Sequence, residues 1–179
     1  MLPAHERVVR AYLTAKDHGL PAMWPQVFAE DATFTPSFDF DAGDMPTGPS
    51  RGLPAIAKTF AGAVAWADEI LTVVPAASVV DGPGWQTSDW VVGMHARSGE
   101  GGFVGWGSYR WAFDDAGGVA TALEVRFVQR VLLSPAAVAP VMDWLRQQDS
   151  PWCDGAELKR TLPGLPELAG VGGLLERAW

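Results

Sequence analysis

From Thr33 to Asp41 the chain alternates. Phe34, Pro36, Phe38 and Phe40 fall on one side, and Thr33, Thr35, Ser37, Asp39 and Asp41 on the other. A period of two predicts a strand with one aromatic face and one polar face. Upstream the period is helical. Val8, Val9, Tyr12, Leu13 and Ala15 predict a helix over 5–18, stopped by Gly19. Pro21 opens a second, short helix through Met23, Trp24, Val27 and Phe28. After the aromatic strand comes the loop DAGDMPTGPSRG, long enough to act as a lid or binding loop. A helix over 53–67 then carries Ile56, Phe60, Val64 and Trp66 mostly on one side. Four strand-like runs follow: ILTVVPAASVV, WQTSDWVVGMHAR, FVGWGSYRWAF and VATALEVRFVQRVLL. Short Gly-rich turns separate them, which predicts an antiparallel meander. Helices first and a meander second is an α+β order.

Ser134 and Pro135 open a further helix with Val138, Met142 and Leu145 at helical spacing; Pro140 predicts a kink or a late start. Two regions are therefore expected, 1–134 and a helical, Pro/Gly-rich extension over 135–179. So many Leu and Trp residues, Trp152 and Trp179 among them, predict that the extension packs on the body of the protein or on a partner subunit.

Composition narrows the function. A net charge of −8 and only three lysines argue against nucleic acid or an anionic membrane as partner. The one cysteine, Cys153, excludes an intrachain disulfide and a cysteine-based zinc site. Glu6 and Arg7 stand where a signal peptide would be apolar, so a cytoplasmic location is expected. The greasy run LTVVPAASVV is too short to span a bilayer. No histidine pair has ligand spacing, DFDAGD lacks the spacing of a calcium loop, and no Gly-rich loop joins a strand to a helix. Neither a metal nor a cofactor is expected.

VFAEDATF, the Gly-Pro loop, RGLPAIAKTF and the meander together resemble the nuclear transport factor 2-like (NTF2-like) superfamily, in its SnoaL-like branch, over residues 5–133. Its members include ketosteroid isomerases, scytalone dehydratases, limonene epoxide hydrolases, polyketide cyclases and non-catalytic dioxygenase subunits. The resemblance implies a curved antiparallel sheet wrapped around the N-terminal helices. That makes a cystatin-like cone with a hydrophobic cavity open at one end, often in a homodimer.

Against the ketosteroid isomerases, Tyr12 matches the donor to the substrate oxyanion, and Tyr109 falls where a protonated aspartate is the second donor. The isomerase base falls at Pro36, which cannot titrate. The resemblance to epoxide hydrolases and cyclases offers Asp89 and Glu124 as replacements, with Arg126 on the face of Glu124. Pattern alone favours Leu123, Val125, Phe127, Val131 and Leu133 inside, and Glu124, Arg126 and Arg130 outside. A one-residue slip would reverse them. Pairing His95 with Gly105 and Asp89 with Trp111 puts Asp89, His95, Tyr109 and Trp111 on one face, with His95 as a candidate acid or base.

The chain holds nine tryptophans, and aromatic walls suit flat apolar ligands. Trp24, Phe28, Phe34, Phe38, Phe40, Phe60, Trp66 and Trp111 are the expected wall, with Arg126 at the substrate. Two functions remain open. One is a cofactor-free isomerase, dehydratase, cyclase or epoxide hydrolase acting on a ring-containing polyketide or terpenoid. The other is a non-catalytic ligand-binding or structural subunit.

Overall fold

The computed structural model describes residues 2–168 other than 44, 46 and 117, with the backbone alone at 63 and 64. The expected side-chain position of Val64 and the end of the extension with Trp179 lie outside the described residues. The protein is α+β. Helix α1 (Pro3–Asp17) and the short α2 (Trp24–Val27) lead into β1 (Phe28–Phe38). β2 (Ser50–Arg51) and α3 (Leu53–Trp66) follow. The meander is β3 (Ala67–Pro75), β5 (Trp85–Ala96), β6 (Gly102–Phe113) and β7 (Ala120–Leu133). Pro75 and a 3₁₀ turn at Ala76–Ser78 end the first predicted strand early, and a short β4 (Val80–Gly82), running into the segment expected as a turn, pairs with the other end of β5.

The sheet order is β2-β1-β7-β6-β5-β3-β8, where β8 is Trp152–Cys153. The meander is antiparallel as expected, but β1 joins β7 in parallel, so the whole sheet is mixed. The inner face curls around the first three helices. Trp90, Tyr109, Trp111, Leu123 and Val125 from the sheet pack with Tyr12, Trp24 and Phe60 from the helices in one buried cluster. The extension packs on the outer face. α4 (Pro135–Arg146) lays Val138, Met142 and Leu145 against Val91, Val104 and Trp106. The helix begins at Pro135 and runs through Pro140, which is exposed. α5 (Gly155–Arg160), capped by Asp154, adds Leu158 to the same cluster.

Two local features decide which side chains face inward. The β5–β6 hairpin closes at Ala96 N–H to Gly101 O, 2.9 Å, so His95 sits across from Gly102. In β7 the pairing runs Phe127 with Gly107, then Gln129 with Trp106. Val128 is thus an extra residue, a bulge that reverses the faces beyond it.

Gly107 sits beside this bulge. A Cβ there would lie 1.7 Å from Arg126 O and 2.8 Å from the Trp90 ring, whereas at Gly105 the nearest atom is 3.4 Å away. Gly107→Ala is therefore expected to destabilise the protein by about 3 kcal/mol or more, and Gly105→Ala by less than about 1 kcal/mol. Denaturant titration of the two variants checks the difference.

Candidate ligand site inside the cone

The inner face is a stack of tiers along β5 and β6. Gln86 lies across from Trp111, Ser88 from Tyr109, Trp90 from Gly107, Val92 from Gly105 and Met94 from Phe103. Tyr12 enters from α1 at the lower tiers. Its ring centroid is 5.0 Å from that of Trp111, 5.6 Å from Tyr109 and 5.7 Å from Phe60, each edge to face. Trp24 stacks on Phe60 at 4.7 Å, and Phe28 and Phe34 close the side toward β1. The lower tiers are therefore filled ring against ring. In the upper tiers Phe38, Phe40, Phe127 and Met94 are only half-buried. Two surface hollows of about 400 and 330 Å³ lie elsewhere, along the outside of α1 and between its C-terminus and β3.

The two tyrosine rings meet edge to face at 5.6 Å, close enough for each phenol to affect the other. Burial raises both phenols well above their ordinary range. The pair effects between them and the Asp17 charge are smaller contributions. A phenol kept neutral in a dry site is a donor, not a base.

The proposed acids and bases do not reach this pair. The hairpin closes three residues tighter than the pairing expected from sequence, and an odd shift exchanges the faces. Asp89 and His95 therefore lie on the outer face, and Gln86 and Ser88 share the inner face with Trp111 and Tyr109. Asp89 lies across from Ser108 beside the turn of Ser78, whose Oγ accepts its N–H; partial burial raises its carboxyl. His95 lies across from Glu69, which Arg146 of α4 holds from outside at 3.0 Å. Glu124 is exposed, across from Arg110. Arg126 is exposed as well and makes a two-point bond to Asp39, at 3.0 and 2.7 Å, instead of pairing with Glu124 or touching the interior. Trp66 is 46% exposed and touches Phe103 at 5.6 Å, so it flanks the rim and is not an enclosed wall.

Other residues come inward unannounced. Gln86 and Ser88 are 0% and 2% exposed, and among the described residues the Gln86 amide, the Ser88 hydroxyl and the Trp90 and Trp111 Nε1–H groups have no hydrogen-bond partner. Buried polar atoms are rarely left so. At the end below Gln86, His5 Nδ1 is 2.7 Å from Asp81 Oδ1, and the imidazole stacks on Phe113 at 3.8 Å. Asp81 also accepts from Leu2 N–H and lies across from Gln86. A carboxylate only accepts, so the Nδ1 hydrogen points to it and Nε2 is the nitrogen that can take a proton. The helical spacing of His5 with Val8, Val9 and Tyr12 was the sequence signal for its inward side. Gln86 and Ser88 gave none, because QTSD does not alternate in polarity. At the other end of α1, Asp17 accepts from Thr72 N–H at 2.9 Å and pairs with Lys16, so its charge is already engaged.

Among the described residues no cluster of His, Cys, Asp or Glu could hold a metal, and no helix is long and apolar enough to cross a membrane. Burial raises the Cys153 thiol to about 11, which makes it a poor nucleophile.

A curved sheet packed over three helices is the fold of NTF2-like, ketosteroid isomerase-like structures. Among solved structures, RV0760c of Mycobacterium tuberculosis is similar with a TM-score of 0.58 and 13% identity over 70% of this chain and 91% of that one. A protein of ketosteroid isomerase-like fold from Catenulispora acidiphila, in complex with trimethylamine, gives 0.56 and 15% over 73% and 88%. PrhC of Penicillium brasilianum gives 0.57 and 7% over 69% and 80%. No family model and no curated protein matches the sequence.

The two buried phenols, the only tyrosines of the chain, make a clean spectroscopic test. Unfolded, each ionises near pH 10; folded, each holds its proton well above that. Above pH 10 the fold thus binds more protons than the unfolded chain. Its stability is fully present below pH 10 and is lost as pH rises, by up to about 1.4 kcal/mol per pH unit for each phenol. Tyrosinate absorbance is expected to appear only together with unfolding. A titration step in the intact fold near pH 10 would contradict the assignment.

Proposed function

We propose that this protein binds an apolar, ring-containing small molecule in the cone, with a carbonyl or hydroxyl of that molecule directed at the inner polar set. The observation that carries the reading is the group of buried, unpartnered donors and acceptors on Gln86, Ser88, Trp90 and Trp111 within an aromatic wall. Apolar walls with a few converging polar groups are the usual make-up of a ligand site. Each orphaned group costs about 1–3 kcal/mol in the free protein, a cost a matching ligand group removes.

A second reading, proton-transfer catalysis of the isomerase, cyclase or lyase kind, is favoured by the His5–Asp81 pair. His5 and Tyr12 share the buried face of α1 and are separated by seven residues, roughly 10 Å. A multi-ring ligand that displaced the Trp111 and Phe113 rings now filling these tiers would span that distance, with Nε2 as the base at one end and the tyrosine pair as donor at the other. This replaces Asp89, Glu124 and His95, which face outward.

Thermal unfolding with matched polycyclic hydrocarbons, phenols and ketones tests the binding reading. Ketones and phenols are expected to raise the melting temperature more than hydrocarbons do. Gln86→Met is expected to stabilise the free protein and to shrink the ketone shift. Equal shifts for all three classes, or an undiminished ketone shift in Gln86→Met, would sink it. For the catalytic reading, His5→Gln is expected to abolish turnover of a ligand so identified while leaving its thermal shift in place.

A further inference from the structure

The sequence pattern places Arg130 on the outer face together with Arg126, four residues before it. The bulge at Val128 separates them. Arg126 lies before it and faces outward to Asp39, whereas Arg130 lies after it, across from Gly105. Gly105 belongs to the inner face, since a side chain there would meet Phe103 and Val92. Arg130 is half-buried at the upper tiers. Its guanidinium carbon is 5.4 Å from the Phe40 ring centroid and 5.9 Å from that of Phe103. Its one hydrogen bond among the described residues runs from Nη1 to Met45 Sδ, at 3.7 Å. A thioether is a weak acceptor. No carboxylate among the described residues is ion-paired with it, in a chain of net charge −8.

We propose that Arg130 is an anion subsite at the upper tiers of the cone, which takes the carboxylate of a ring-containing ligand. The inference rests on the ligand-binding reading and adds the charge of the ligand. Ring contacts hold the planar guanidinium in place and leave its donor edge for a bidentate carboxylate. Phe38 and Phe127, stacked at 5.0 Å, offer the adjoining ring surface. Gly105 and Tyr109 are four residues apart on β6, roughly 13 Å. A carboxylate at Arg130 therefore lets a ring body lie on Phe38 and Phe127, above Trp90, which fills the tier next to the tyrosine pair. A bulge that re-aims one side chain toward a site is a recurrent device.

The test is calorimetric titration with naphthoate and its uncharged isostere naphthamide. The wild type is expected to bind naphthoate about tenfold more tightly or better, with an affinity that falls as salt is added, while naphthamide is indifferent to salt. Arg130→Met is expected to remove the preference and leave naphthamide within about twofold. Arg130→Lys is expected to keep part of it, and Arg126→Met all of it. Equal affinities in the wild type, or a preference that survives in Arg130→Met, would overturn the subsite. If Arg130→Met loses its near-ultraviolet circular dichroism, the salt series on the wild type and Arg130→Lys decide, and an absent salt effect overturns it. Naphthamide binding without a naphthoate preference leaves the ligand-binding reading standing; failure of both ligands to bind removes both.

Discussion

The packing of Tyr12 against the inner sheet is the contact on which the rest of the structure depends. One ring meets Trp24, Phe28, Phe60, Tyr109 and Trp111 at centroid distances of 5.0–6.3 Å. It joins α1, α2 and α3 to β1 and β6 at a single point. Edge-to-face pairs each add about 0.5–1.5 kcal/mol to the burial itself. The same contact sets the direction of α1, and with it the positions of His5 at one end and Asp17 at the other. A helix shifted by one turn would separate both from Asp81 and Thr72.

Excluding water from that contact also gives the interior its chemistry. In a dry aromatic surround a phenol keeps its proton, an unpaired amide is costly, and a carboxylate survives only with partners. The inner acids obey this. Asp81 has His5 and the Leu2 N–H, while Asp17 has Lys16 and Thr72. Gln86 and Ser88 are the exceptions, and a polar exception inside a greasy cone is where ligand recognition is best sought. The extension meanwhile covers the opposite face of the sheet, so Val91, Val104 and Trp106 are buried without facing the cone.

Much of the fold was legible in the residue pattern. Helical spacing marked α1, α3 and α4, period two marked β1, and Gly-rich turns marked the meander, because these signals are local and repeat with the geometry of each element. Tyr12, Trp24, Phe28, Phe34, Phe60 and Trp111 were placed inside correctly, since bulky apolar residues on an apolar face have nowhere else to go. Glu124 and Arg126, brought to the site by resemblance, lie exposed as the strand pattern favoured, and the errors of face share one cause. Asp89, His95 and Arg130 were assigned to faces by counting along strands, and counting fails wherever pairing shifts by an odd number.

By itself, then, the sequence determined the order of the elements, the class of fold, the aromatic filling and the two inward tyrosines. Those follow from burial and local periodicity. Only the tertiary structure decided the register of β5 on β6, the bulge at Val128, and the meeting of His5 with Asp81 across 76 residues of chain. Each depends on hydrogen bonds between strands or on contacts between distant segments, and the energy differences between alternative registers are not written in any short window. The candidate chemistry sits at those places: a strand shift brings Gln86 and Ser88 inside, and one extra residue turns an arginine toward the upper tiers.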